Sequence, residues 1–249
     1  MITSVQNSII KDIKKLHKKK YREQMNQFLV EGHHLVNEAH LSDFIIDKVI
    51  LREDVALPEW IAKKDVIYVT NEVFQTITQT ETPQGIAAVV NKHTFSNEAS
   101  GHVLLLDAIQ DPGNLGTMIR TAEAAGFTKV ILGKGTVDPY NDKVIRATQG
   151  SIFYLPIIQA DLAEVICELK SNHYEIWAAT LDDSQVYHEI EVTSDVGLII
   201  GNEGAGISQE VVNQANRNVK IPIYGRSESL NAGVASGVLM YYLQTSFAR

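Results

Sequence analysis

The sequence predicts an α/β protein in two parts, the second built on a parallel sheet with both faces covered. Three observations carry this. Short, almost uninterrupted apolar runs recur at residues 102–107, 129–132 and 196–200, and strands of that kind belong to sheets with no solvent face. Segments with helical spacing of apolar residues alternate with them, as βαβ units require. A polar, aperiodic stretch from Asn91 to Gly101 separates two such series. Within it residues 96–101 read as a linker between a first domain, 1–95, and a second, 102–249.

Taken in order, the chain opens with a helix from Ser8, with Ile9, Ile13 and Leu16 on its apolar side and lysines elsewhere. Residues 28–32 form a strand ending at Gly32, and 33–40 a helix. Strands follow at 48–51, 66–69 and 86–90, with a helix at 71–77 capped by Thr70 or Asn71. In the second part the strand 102–107 leads through a polar loop, 108–116, to a helix at 117–125. Gly126 closes that helix in the position of a C′ glycine. Strands at 129–132, 153–157, 175–179 and 196–200 come next, with a helix at 162–170. Residues 221–223 form a last short strand, 224–229 an irregular turn, and Asn231 begins the final helix.

An apolar fraction of 45% and a charged fraction of 21% are those of an ordinary globular protein. No apolar run approaches the roughly 20 residues of a membrane span, and no secretory leader pattern opens the chain, so a cytoplasmic protein is expected. The single cysteine, Cys167, excludes disulfides and a cysteine-based metal site and reads as a small core residue. No metal is expected. The net charge of −8 is unevenly spread: residues 1–22 hold seven Lys/Arg against Asp12, a local +6 that leaves −14 for the rest. Lys14, Lys15, Lys18, Lys19, Lys20 and Arg22 thus form a candidate electrostatic footprint for nucleic acid, or, the commoner explanation of a lysine run, a solvated helix face; membrane-surface binding ranks last, because the apolar face is short and lacks Trp or Phe.

Three polar loops follow apolar strands and precede helices. They are Asp111-Pro-Gly-Asn-Leu-Gly116 with Arg120 beyond it, Gly201-Asn-Glu-Gly-Ala-Gly-Ile-Ser208, and Arg226-Ser-Glu-Ser-Leu-Asn231. In a parallel sheet such loops gather at the carboxyl ends of the strands, where ligands bind and helix N-termini offer free N–H groups. On the residues alone a nicotinamide-dependent oxidoreductase is one reading. Residues 201–206, however, have neither the G-x-G-x-x-G order nor a Gly-Lys-Ser/Thr ending.

Together the three segments resemble the SpoU (TrmH-like) branch of the SPOUT RNA methyltransferases. Asn114 and Arg120 match its first motif, Gly201 to Ser208 its second, and Ile221 to Ala235 its third. Residues 1–95, with Phe28-Leu-Val-Glu-Gly32 and Thr82-Pro-Gln-Gly85, look like the family's small ribosomal-protein-like substrate-binding domain. The resemblance implies a SPOUT-type sheet with a C-terminal trefoil knot, a homodimer and S-adenosylmethionine as cofactor. It further implies methyl transfer to a ribose 2′-hydroxyl of structured RNA, ribosomal ahead of transfer RNA. By the same resemblance Arg120, Asn114, Glu203, Ser229 and Asn231 are the catalytic set, and Thr180, Gly201, Ile221 and Leu230 hold the cofactor. Arg146, in Arg-Ala-Thr-Gln-Gly150, matches a segment for which phosphate binding and a structural salt bridge are both open. Arginine is a poor base, so Arg120 is expected to hold a phosphate or stabilise a developing alkoxide. A non-catalytic RNA-binding or assembly module keeping the same fold stays in view.

Overall fold

The computed structural model describes residues 1–61, 66–95, 100–181 and 183–246. It has two compact units, Met1–Phe95 with Tyr140–Phe153, and Ser96–Pro139 with Tyr154–Arg249. Residues 96–99 of the expected linker lie outside the described residues. The sequence places 140–153 in the second domain; in the structure this segment packs into the first unit.

In the first unit Asn7 caps α1 (Ser8–Lys15), its side chain accepting the Ile9 N–H at 2.9 Å. The helix buries Ile10 and Ile13, and Leu16 just past its end is also buried. Ile9, expected on that face, is exposed instead. A second helix that the lysine run concealed, α2 (Lys19–Met25), follows. The break has a visible cause. Arg22 is only 5% exposed, and its Nη1 donates to the Leu16 carbonyl at 2.7 Å, satisfying an acceptor left free where α1 ends.

β1 (Gln27–Glu31), α3 (His33–Leu41), β2 (Ile46–Arg52), β3 (Val66–Val69), α4 (Asn71–Ile77) and β4 (Ile86–Asn91) complete this part. Thr70 caps α4. The sheet runs β1-β4-β2-β3, with β4 antiparallel to both neighbours and β2 parallel to β3. The period of two divides its side chains. Leu29, Ile50, Ala87 and Val89 pack with Ile10 and Ile13 of α1 and Val73, Phe74 and Ile77 of α4. Phe28 instead meets the rings of Tyr140 at 4.7 Å and Phe44 at 6.1 Å. Phe153 closes the cluster 5.1 Å from Phe44. These aromatic contacts hold 140–153 in the first unit.

The second unit contains β5 (Val103–Leu106), α5 (Pro112–Ala124) and β6 (Lys129–Leu132). After the excursion, which carries α6 (Asp142–Thr148), it resumes with β7 (Ile157–Gln159), α7 (Leu162–Ser171), β8 (Glu175–Ala179), β9 (Gln185–Val186) and β10 (Val196–Ile200). α8 (Gln209–Val212), β11 (Arg217–Lys220) and α9 (Ala232–Ser246) finish it. Among the described residues the sheet has seven strands in the order β7-β6-β5-β10-β8-β11-β9, all pairs parallel. One face packs on α7, where Leu162, Ile166 and Leu169 meet Val103, Leu105, Ile131, Ile176 and Ile199. Toward α9, Gly233 and Gly237 allow close packing on α5. A Cβ at either would lie 3.5 Å from the methyl of Thr117 or Thr121.

Four details differ from the sequence reading. α5 starts at Pro112, so the presumed loop 112–116 is its first turn. Residues 151–153 form a 3-10 turn and the strand comes later, at Ile157–Gln159. The last strand is Arg217–Lys220 rather than 221–223. Cys167 is exposed on α7, not buried. No described helix is long and apolar enough to cross a membrane.

Phe153→Ala should lower the unfolding free energy of the first unit by about 3–5 kcal/mol, the usual cost of emptying a buried aromatic site. Urea denaturation would read it, and a loss under about 1 kcal/mol would show that the ring is not part of that core.

Candidate functional site

Thr180, Gly201 and Ile221 are each the residue immediately after a strand, β8, β10 and β11 respectively. Those strands are neighbours in the order β10-β8-β11. At about 4.8 Å between strands, the three residues form a row about 10 Å long along the carboxyl edge. The Thr180 N–H donates to the Val219 carbonyl at 3.0 Å and fixes the row's register. β5 lies on the other side of β10, so the segment after Leu106 stands beside the loop after Ile200.

That loop closes on itself. Asn202 and Gly206 exchange backbone bonds of 2.9 and 3.0 Å, and the Asn202 Oδ1 accepts the N–H groups of Gly204 and Ala205, both at 2.9 Å. Gly206 takes φ +71°, and a Cβ on Gly201 would fall 2.3 Å from the Gly206 carbonyl carbon and the Ile207 nitrogen. No side chain fits at 201.

The loop is tied to the segment after β5 by five hydrogen bonds. The Asn202 Nδ2 donates to the Ala108 carbonyl at 2.8 Å, and the Ser208 N–H to the Asp107 Oδ2 at 2.8 Å. Glu203 accepts the other three: from the Gln110 and Asp111 N–H groups at 3.3 Å each, and from the Asn114 Nδ2 at 3.0 Å. Asp111 caps α5 by accepting the Asn114 N–H at 2.7 Å, with Pro112 in the first turn. The Asn114 Oδ1 then accepts from the Asn231 Nδ2 at 3.0 Å. Asn231 caps α9, its Oδ1 accepting the Gly233 and Val234 N–H groups at 2.9 and 3.2 Å. Three stretches far apart in sequence are thus one bonded network.

Partial burial by itself would raise the Glu203 pKa. The bonds from Asn114 and from the Glu203, Gln110 and Asp111 N–H groups outweigh it and hold the carboxyl below its ordinary value. At neutral pH Glu203 is therefore a bonded carboxylate and a weak proton acceptor.

Residues 101–241 match the model of the SpoU rRNA Methylase family, and residues 7–88 that of the MRM3-like substrate binding domain. The chain belongs to the SpoU rRNA methylase family. A Bacillus subtilis (strain 168) relative, 23S rRNA (guanosine(2553)-2'-O)-methyltransferase RlmP, is 42% identical over 98% of this chain and 98% of its own. Among solved structures, an rRNA methyltransferase from Sinorhizobium meliloti superposes with a TM-score of 0.89 at 32% identity, over 100% of this chain and 98% of that one. A second structure, titled AdoMet bound rRNA methyltransferase from the same organism, gives 0.88 at 31%, over 100% and 98%.

Of the catalytic set that the SpoU resemblance implied, the structure joins Asn114, Glu203 and Asn231. Arg120 and Ser229 are exposed, and their side chains make no hydrogen bond or ion pair with a described residue. Glu203 fixes the loops and does not touch Arg120. Gly201 is buried, Ile221 half-buried and Leu230 39% exposed. In the first unit Lys14, Lys18 and Lys20 are exposed, while Lys15 pairs with Asp12 at 2.8 Å and Lys19 with Glu23 at 3.7 Å. Arg22 drops out of the RNA set because its guanidinium is buried on the Leu16 carbonyl. Arg146 belongs to the first unit and pairs with Asp142 at 2.9 Å.

The sequence reading missed Asp107, Asp111 and Asn202. Asp111 was findable, since Asp followed by Pro is an N-cap signature. Asp107 was not, because its bond crosses between strands about a hundred residues apart. A cluster of three or more His, Cys, Asp or Glu able to hold a metal is absent among the described residues.

Two outcomes follow. Gly201→Ala should break the Asn202–Gly206 turn, read as loss of hydrogen-exchange protection at both amides; unchanged protection would refute the close approach. Glu203 also sets a pH dependence. Its lowered folded pKa adds stability above the pKa of an unfolded glutamate, and that stability is lost as pH falls through the folded value. Wild type and Glu203→Gln should therefore differ in thermal stability at neutral pH and converge in acid, and parallel curves would contradict the bonded carboxylate.

Proposed function

We propose that this chain transfers a methyl group from S-adenosylmethionine to a ribose 2′-hydroxyl of ribosomal RNA. One observation carries the reading: the stretches around Asn114, Glu203 and Asn231 are hydrogen-bonded together where neighbouring parallel strands end. The curated relative, alike over almost the whole chain, is named for a guanosine of 23S rRNA. A guanosine in large-subunit RNA is accordingly the first substrate to try.

Thr180, Gly201 and Ile221 offer the cofactor a row of backbone strand ends, and Leu230, partly exposed, an apolar side chain. S-adenosylmethionine supplies a sulfonium-bound methyl group open to displacement. The ribose oxygen must approach in line and lose its proton as the new bond forms, so positioning and exclusion of water are what the protein contributes. Arg120, cationic and with no side-chain partner among the described residues, holds a substrate phosphate or offsets negative charge building on that oxygen. The Ser229 hydroxyl is left for the sugar. Asn114 and Asn231, engaged with each other, keep the loops in place, and Glu203 anchors them rather than taking the proton.

Residues 221–231 carry the chain from the end of β11 back to α5, where Asn231 is bonded to Asn114. Threading of this segment through the loop 201–208 would make the C-terminal trefoil knot that the family resemblance implies. Val234, Val238 and Tyr241, at i, i+4 and i+7 of α9 and 55%, 36% and 50% exposed, form an apolar stripe that a second copy covers in a homodimer. The exposed lysines of α1 and α2 bind RNA phosphates with release of counterions. The surface pairs of Lys15 and Lys19 resist this little, since solvent screens them.

The test is titration calorimetry with S-adenosylmethionine, then methylation of unmodified large-subunit RNA with the product nucleotide mapped. Failure of both would overturn the reading, and NADH binding in their place would favour an oxidoreductase. Arg120→Lys should keep cofactor affinity while kcat falls about 100-fold or more, as for other fixed transition-state donors. Retained kcat would reduce Arg120 to a simple charge.

A further inference from the structure

The site contains two kinds of segment. In 107–114 and 201–208 side chains are bonded to one another, as described. The connection from β11 to α9 is the opposite. Residues 223–230 make no hydrogen bond or ion pair with any other described residue, by main chain or side chain. A Cβ at Gly225 would meet nothing within 4 Å. Tyr224 is 90% exposed, and Arg226, Ser227, Glu228 and Ser229 are exposed as well. Yet both ends are fixed. Ile221 follows β11 directly, and Asn231 is bonded to Asn114 and caps α9.

That fixes how far the loop can range. At 3.6 Å per residue at most, the Tyr224 Cα lies within about 11 Å of Ile221 and the Arg226 Cα within about 18 Å of Asn231. Both side chains therefore stay within reach of the site wherever the loop moves. With so few internal bonds the loop sits at the low end of local stability and can close on a ligand at small cost.

We infer that the exposed middle of this connection, residues 224–226, holds the nucleotide being methylated, with Tyr224 stacking on a nucleobase and Arg226 pairing with a phosphate, while Ile221 and Leu230 at its ends are kept for the cofactor. The inference rests on the methyltransferase reading and deepens it. A ribose hydroxyl stays in line with a methyl donor only if the rest of its nucleotide is held. Arg120 offers a cation, but nothing in the bonded network offers an aromatic face. RNA bases that leave a helix or lie in loops are held by stacking on aromatic rings and guanidinium planes, and Tyr224 with Arg226 two residues away supplies both. Glu228 in the same loop argues against a merely cationic patch, since it would weaken nonspecific attraction to phosphate.

The experiment compares wild type with Tyr224→Ala, Tyr224→Phe and Arg226→Gln. It measures S-adenosylmethionine binding by calorimetry, oligomeric state by light scattering, and KM and kcat on transcribed, unmodified large-subunit RNA. Tyr224→Ala should raise the KM for RNA about tenfold or more, the range of a lost base stack, with cofactor affinity and oligomeric state unchanged. Tyr224→Phe should recover to within about twofold, because stacking needs the ring and not the hydroxyl. Arg226→Gln should weaken RNA binding and reduce its salt slope by about one. The inference fails if Tyr224→Ala matches wild type in KM, or if its KM changes only together with cofactor binding or oligomeric state. An inactive wild type that binds no cofactor would sink the methyltransferase reading and this inference together; an active one indifferent to Tyr224→Ala sinks the inference alone.

Discussion

The Glu203 carboxylate is the interaction on which the site depends. It accepts the Gln110 and Asp111 N–H groups and the Asn114 amide, so it joins the loop after β10 to the start of α5. Its negative charge lies at the positive end of a 13-residue helix, where an anion is favoured. Asp111 sits at the same end as N-cap, so two acids share it, Asp111 accepting the Asn114 N–H and Glu203 those of Gln110 and Asp111. Glu203 also decides the state of Asn114. With its Nδ2 given to Glu203, the Asn114 Oδ1 is left to accept from Asn231, which sets the start of α9. Removing the carboxylate would leave two backbone donors and one amide to find water, at about 1–3 kcal/mol for each one kept dry.

Such a network forms only if backbones approach closely, and glycine is what permits it here. At Gly201 the 201–206 turn folds back so tightly that a methyl group would overlap main chain. At Gly233 and Gly237 the gain is smaller but repeated, one turn apart, letting α9 lie against Thr117 and Thr121 of α5. The two helices carry Asn114 and Asn231 near their N-termini, and their close packing brings those amides to 3.0 Å. Small side chains on α9 are thus part of the site's geometry.

How much of this the sequence disclosed follows from where the physical signals were local. Parallel strands buried on both faces spell themselves out as apolar runs, and β5, β6, β8 and β10 stand where those runs are. β11 does not. Arg217-Asn-Val-Lys220 buries Val219 fully and leaves its neighbours partly exposed, so the apolar Ile221-Pro-Ile beside it misleads. Pro112, Gly113 and Asn114 look like turn residues in isolation, whereas after Asp111 they are the capped first turn of a helix. The assignment of 140–153 to the first unit was out of reach, because it depends on Tyr140 and Phe153 meeting Phe28 and Phe44 across more than a hundred residues. Arg22 was misplaced for a similar reason: a lysine run says nothing about which cation finds a carbonyl to bury against.

The site residues divide by how fully they are already bonded, and that division orders their roles. Asn114, Glu203 and Asn231 have their polar atoms committed to each other or to backbone, so substrate could claim them only by breaking bonds that hold the loops. Groups in that position act through geometry. Arg120 and Ser229, together with Tyr224 and Arg226, have no such commitments among the described residues, so meeting a ligand costs them only water and side-chain freedom. A reaction that consists of aligning an oxygen with a methyl group calls for this arrangement. The frame has to stay rigid while the parts that meet RNA remain free to adjust, and a residue serving both purposes would compromise one of them. On the proposed reading, the motif that looked like a list of catalytic residues divides into a bonded clamp of three, Asn114, Glu203 and Asn231, and an unbonded pair, Arg120 and Ser229.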